Sequence, residues 1–176
     1  MFFPVFLNIE NKNCLVIGGG KVALRKINKL LEYKASITVI SKNIIKEIKL
    51  LKNIKIIEKE FEEFNDIKYL KKYFLIIAAT NDKKLNDNIA NICIKENILI
   101  NNVSSTNNMN IRFGVSIEKE EYSIAVSAKG NPKKAIKKSI EIKENIENLF
   151  NEWAQINSNI FINLWFKSQT IFLILY

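Results

Sequence analysis

The chain has 176 residues, 48% of them hydrophobic and 26% charged, enough apolar surface for one medium domain with a small appendage and too much for a disordered chain. It contains no histidine, which removes His-based triads, imidazole bases and His-containing zinc sites, so a metal site is not expected. The formal net charge of +9 favours an acidic partner, whether nucleic acid, an anionic membrane surface or a polycarboxylate small molecule, although a solvated Lys- and Glu-rich surface gives the same balance.

The first segment, MFFPVFLNIENKN, lacks a basic leader, a long apolar core and a small-residue cleavage site, so no signal peptide is expected. Cys14 and Cys93 lie in the apolar runs CLVIG and IANICI, which offer no disulfide framework and suit a reducing cytoplasm. From Cys14 to Asn102 short apolar runs alternate with helix-period segments. The runs are CLVIG (14–18), SITVIS (36–41), IKII (54–57), FLIIAA (74–79) and ILIN (98–101). Between the first two, Ala23, Ile27, Leu30 and Leu31 fall on one helical face, and similar helices are expected near 43–51, 64–72 and 84–96. The pattern predicts an α/β fold over residues 1–111, a Rossmann-type parallel sheet with helices on both faces.

Beyond Asn102 the pattern changes. RFGVSIE (112–118) and YSIAVSA (122–128), joined by the charged turn 119–121, predict an antiparallel hairpin. Asn131 and Pro132 read as N-cap and first residue of a helix whose Ile136, Ile140, Ile146, Leu149 and Phe150 line one face. This α+β segment, 112–150, has no sheet left on which to bury its apolar faces, so it is expected to pair with a second copy in a homodimer. Residues 151–176 are expected to form a short helical tail; the apolar stretch 160–176 is interrupted by Lys167 and too short for a membrane span, so no membrane partner is expected.

The strongest local signal is Gly18-Gly19-Gly20-Lys21-Val22-Ala23, directly after a strand and opening an amphipathic helix. It matches the dinucleotide fingerprint: Gly18 for the tight turn, Gly20 for backbone approach to a pyrophosphate, Ala23 for close packing of helix on strand. The alternative is a tight βα turn with no ligand, and in a chain with five glycines the placement of three here argues against it. The acidic residue that usually follows the second strand is missing. Ser41 can bond a ribose hydroxyl and Lys42 can accommodate the 2′-phosphate of NADP, so these residues leave the choice of dinucleotide open. Thr80 and Asn81 close the fourth strand, where they either touch the cofactor or cap the next helix.

In order and spacing, the blocks PVFLNIENKNCLVIGGGKVALRKINKLLEYKASITVIS, IIAATNDKKLN, ILINNVSS and YSIAVSAKGNPKKA resemble the precorrin-2 dehydrogenase family, which also forms the N-terminal module of sirohaem synthase; the match runs from about Phe3 to Ile146. The resemblance implies NAD as oxidant, precorrin-2 as substrate and sirohydrochlorin as product. It also implies a Rossmann domain, a dimerisation segment and a small helical C-terminal region. A polycarboxylate tetrapyrrole suits a basic protein. Lys129, Lys133 and Lys134 cluster at the start of the helix that begins near Pro132, where cations oppose the helix dipole unless an anion sits among them; the cluster is a candidate carboxylate site or a solvated face.

Two departures concern the chemistry. The family's aspartate after the fifth strand, assigned to proton handling, aligns with Ser104, and no carboxylate between Glu96 and Glu118 replaces it; Ser104 is a candidate catalytic group or a loop cap. The family's serine pair appears here as Ser127 followed by Ala128, which leaves Ser127 as a substrate-site candidate. A bifunctional enzyme that also inserts iron is one alternative, disfavoured by the absence of histidine and of Asp at position 104. A non-catalytic Rossmann module that senses nucleotides or binds nucleic acid is another. It lacks the interleaved aromatics or base-reading motif of such modules, so no nucleic-acid partner is expected.

Overall fold

The structure is a computed structural model and describes residues 2–61, 66–120 and 122–149. The chain divides into two compact units, Met1–Phe113 and Gly114–Tyr176.

In the first unit strands and helices alternate: β1 (Asn13–Ile17), α1 (Lys21–Glu32), β2 (Ser36–Ile40), α2 (Lys46–Lys49), β3 (Ile54–Ile57), α3 (Ile67–Leu70), β4 (Leu75–Ala78), α4 (Lys83–Lys95) and β5 (Leu99–Asn102). The five strands form one parallel sheet in the order β3-β2-β1-β4-β5. This is the doubly wound arrangement expected from the alternation. Its strand order reverses between β1 and β4, which opens a crevice at their carboxyl ends.

Successive residues of a strand face opposite sides of a sheet, and both sides here are apolar. Cys14 and Val16 join Ala23, Ile27 and Leu30 of α1 and Val39 of β2 in one core layer. Leu15 and Ile17 join Ile76, Ile89, Ala90, Cys93 and Ile100 in the other. The expected face of α1 is the observed one: Ala23, Ile27 and Leu30 are buried, with Leu31 half-buried beside them. The two long helices stop in the same way. Lys34 and Asn97 take positive φ of 55° and 57°, and the residues after them, Ala35 and Ile98, donate back to Leu30 O and Cys93 O at 3.2 and 2.8 Å. These are Schellman stops at which a non-glycine residue takes the left-handed position. The outer edge of β5 is occupied by a side chain rather than a strand: Ile100 N–H donates to Asn110 Oδ1 at 2.7 Å, and Asn110 Nδ2 donates to Ile98 O at 2.8 Å. Edge groups are thereby satisfied without a sixth strand.

The second unit contains the expected antiparallel hairpin, β6 (Val115–Glu118) and β7 (Ser123–Val126), in register from Val115↔Val126 to Glu118↔Ser123. A helix, α5, follows over 132–149. Asn131 Oδ1 accepts from Lys134 N–H at 3.0 Å, the N-cap expected of that asparagine. The face of α5 expected to be left for a second copy is exposed at Ile136, Ile140 and Leu149, and a different stripe is buried. Ala135 and Ser139 are buried and Ile142 and Ile146 half-buried, a stripe at i, i+4, i+7 and i+11, whereas Ile136, Ile140 and Leu149 are 50%, 52% and 65% exposed. Buried Ser139 meets its own needs by donating to Ile136 O at 2.8 Å. Phe150 and the 151–176 tail lie outside the described residues.

Candidate functional site

The three glycines between β1 and α1 serve different purposes. Gly18 has φ +125°, and a Cβ there would lie 2.2 Å from the carbonyl oxygen of Ala79, so only glycine lets the turn pass the end of β4. Gly19 is closed off on the other side, where a Cβ would meet Asn43 O at 2.2 Å; its carbonyl accepts from Ile45 N–H at 3.0 Å. Gly20 is the N-cap of α1, in extended backbone, and a Cβ added there meets nothing within 4 Å. Gly18 and Gly19 shape the turn; Gly20 presents bare backbone to open space.

No side chain caps α1 at Gly20 and no acidic residue lies in its first turn. The first N–H groups of a helix have no partner within it, and they carry the positive end of its dipole. Lys21 and Val22 are exposed on this turn, while Ala23 is fully buried beneath it. A pyrophosphate fits this place on three counts: an open approach to backbone, unpaired donors, and the crevice between β1 and β4.

The residues expected near the ribose are held by the protein itself. Ser41 N–H extends the sheet by donating to Ile57 O at 3.2 Å, and Ser41 Oγ donates to Asn43 O at 2.9 Å. Lys42 Nζ lies 2.6 Å from Glu60 Oε1, and this hydrogen bond and the carboxylate charge raise the lysine's pKa above its ordinary value. Glu60 was not a candidate from the sequence, because it lies beyond β3 and is brought to the end of β2 by strand pairing.

At the end of β4, Thr80 is tied to a residue that sequence reasoning missed. Asn86, fully buried in α4, accepts from Thr80 N–H at 3.1 Å and from Thr80 Oγ1 at 2.7 Å. It donates from Nδ2 to Thr80 O at 3.0 Å and to Ser104 Oγ at 2.5 Å. One amide thus couples the loops after β4 and β5. The cap of α4 is Asp82, which accepts from Lys84 N–H and Leu85 N–H at 2.8 and 3.1 Å; Asn81 is exposed beside it.

Ser104 is held a second time, its N–H donating to Asn102 Oδ1 at 2.9 Å. Asn102 Nδ2 donates in turn to Asp87 Oδ1 at 2.8 Å, and Asn108 Nδ2 reaches the same oxygen at 3.2 Å. A carboxylate missing from the sequence around Ser104 is therefore supplied to that loop by α4. The only early hint was Asn86-Asp87 inside an amphipathic helix, polar residues one turn from its start.

The remaining candidates belong to the second unit. Ser127, Lys129, Lys133 and Lys134 are exposed around the turn between β7 and α5, where Lys129 and Gly130 take φ of 49° and 96°. Among the described residues of this unit the ion pairs are Lys119–Glu147, Lys138–Glu141 and Lys143–Glu147, none of which uses Lys129, Lys133 or Lys134.

Residues 5–115 match the family described as "Putative NAD(P)-binding". The chain belongs to this NAD(P)-binding family. Among curated relatives, the siroheme synthase of Buchnera aphidicola subsp. Acyrthosiphon pisum (strain APS) is 38% identical over 132 residues, and that of Blochmanniella pennsylvanica (strain BPEN) 37% over 132. Each match takes in 73% of this chain and 27% of the relative, so the chain spans about a quarter of the proteins it resembles. Among solved structures, SirC, precorrin-2 dehydrogenase, superposes with a TM-score of 0.68 at 27% identity, over 82% of this chain and 71% of that one. The fold is therefore that of an NAD(P)-binding family member, and the matched residues include the Gly18–Ala23 turn.

Proposed function

We propose that the chain oxidises precorrin-2 to sirohydrochlorin with NAD as hydride acceptor. The observation that carries this reading is Gly20: bare backbone at an uncapped helix N-terminus, open to a ligand, at the switch point of the sheet. The names and similarity of the siroheme synthases and of SirC support the choice of substrate.

When bound, the dinucleotide supplies a two-electron acceptor: the tetrapyrrole loses a hydride and a proton, leaving sirohydrochlorin, NADH and H⁺. The residues of the chain bind and orient. Gly20, Lys21, Val22 and Ala23 cradle the pyrophosphate on the first turn of α1, Ser41 and Lys42 border the ribose, and Thr80 and Asn81 line the crevice from β4. Ser127, Lys129, Lys133 and Lys134 offer a basic patch to the substrate's carboxylates. Ser104 orders the loop after β5, its hydroxyl accepting from Asn86, and a neutral hydroxyl is a poor proton acceptor near neutral pH.

Iron insertion is not included in this reading. It requires a group that accepts pyrrole protons, and a serine hydroxyl is a poor acceptor near neutral pH. The exposed Ile136 and Ile140 on α5 support a homodimer, and the buried, free thiols of Cys14 and Cys93 support a cytoplasmic location. Among the described residues no helix is long and apolar enough to cross a membrane.

The test is to mix purified protein with precorrin-2 and NAD and follow NADH and sirohydrochlorin absorbance. Formation of both in equal amounts is expected; no NADH above the enzyme-free rate overturns the proposal.

A further inference from the structure

In dinucleotide folds an acidic residue after the second strand usually holds the ribose 2′-hydroxyl, and a cation there accepts a 2′-phosphate instead. Here β2 runs out into Ser41-Lys42, a hydroxyl and a cation that leave both cases open. The tertiary structure sets a carboxylate against that cation. Ile40 pairs with Ile57, Ser41 N–H donates to Ile57 O, and Lys59 N–H turns back to the same carbonyl at 3.1 Å. The chain after β3 therefore leaves the sheet beside the chain after β2, and Glu60 arrives against Lys42. The neighbouring carboxylate, Glu58, is engaged elsewhere, 2.7 Å from Lys49.

We propose that Glu60 determines the choice of dinucleotide: it occupies Lys42 and places a negative charge where a 2′-phosphate would have to sit, so that NAD is taken and NADP refused. The inference rests on the dinucleotide reading of the site. Both side chains are largely exposed, 70% for Lys42 and 53% for Glu60, and an exposed pair contributes little to folding. The pair is thus removable without loss of the fold. Its effect on a ligand is larger than on stability, because a phosphate brings nearly two charges to within a few ångströms of it, and loss of one opposing charge at that range changes affinity about tenfold at low salt.

The experiment is equilibrium binding of NAD and of NADP to the full chain by calorimetry, at low and high salt. Wild-type protein should bind NAD more tightly. In Glu60→Gln the ratio of NAD to NADP affinity should fall about tenfold at low salt and less at high salt; Glu60→Asp should keep the wild-type ratio, and adding Lys42→Ala to Glu60→Gln should cancel the gain in NADP affinity. A ratio unchanged in Glu60→Gln, in protein that still binds NAD, overturns the role of Glu60 and leaves the dinucleotide site standing. Failure of wild-type protein to bind either dinucleotide overturns the site itself, and this inference with it.

Discussion

The side-chain amide of Asn86 donates to the hydroxyl of Ser104 across 2.5 Å, joining α4 to the loop that follows β5. The same amide satisfies Thr80 at the end of β4, so one fully buried residue holds both loops at the carboxyl edge of the sheet. Replacing Asn86 with leucine would strand the backbone N–H and C=O of Thr80. A loss of about 2–3 kcal/mol in urea unfolding is expected. Ser104→Ala removes only one bond of this set and should cost about 1 kcal/mol. It should leave NADH formation within a fewfold of wild type; loss of activity in folded Ser104→Ala would make Ser104 a catalytic group after all.

Gly20 and Gly18 should respond in opposite ways. At Gly20 the backbone is extended and the space open, so Gly20→Val should fold with an unchanged melting temperature and lose NAD affinity by more than tenfold, because its side chain fills the pyrophosphate's place. Gly18→Ala puts a methyl group against the Ala79 carbonyl at a positive φ. It should fold poorly or melt well below wild type, by strain of about 1–3 kcal/mol before the clash is counted. Thermal melts and NAD titrations on the two variants check both statements.

Lys26 gives the protein a pH dependence. Burial, and secondarily the charge of Arg25, lower its pKa from 10.5 to about 8. Its folded-state value lies below that of the unfolded chain, so the charged form opposes folding. The cost is complete below pH 8 and fades as pH rises from 8 to 10.5. Its ammonium lies 4.5 Å from the Phe113 ring centroid, which offsets part of the cost and leaves about 2 kcal/mol. Lys26→Met should therefore be more stable than wild type at pH 7 and approach it near pH 10.5 in urea titrations. Burial lifts the thiols of Cys14 and Cys93 to about 11 and about 12, so their contribution declines above pH 9.0. That decline is common to both proteins and cancels in the difference.

Ile136 and Ile140 stand one turn apart on the exposed side of α5. If this face pairs two copies, light scattering at micromolar concentration should give a dimer for wild type and a monomer for Ile136→Lys with Ile140→Lys. Neither side chain belongs to the buried stripe of α5, so the helical signal of the variant should persist. A wild-type monomer would reject the pairing.

By itself the amino-acid order determined the sheet, the helix faces built on Ala23, Ile27 and Leu30, the glycine turn, the hairpin and the Asn131 cap. Each of these rests on residues near one another in the chain, where period, turn chemistry and capping act locally. The tertiary structure decided what depends on distant partners. Glu60 meets Lys42 only because β2 and β3 pair, and Asp87 reaches Asn102 and Asn108 only because α4 packs beside β5. Asn86 is one more polar residue of an amphipathic helix in the sequence, and only the fold brings its amide to the backbone of Thr80 and the hydroxyl of Ser104. On α5 the sequence pattern marks Ile136 and Ile140, which are exposed, whereas the burial of Ala135 and Ser139 is visible only in the fold. A buried polar group gains its worth from partners that arrive with the fold, and no local pattern in the chain announces them.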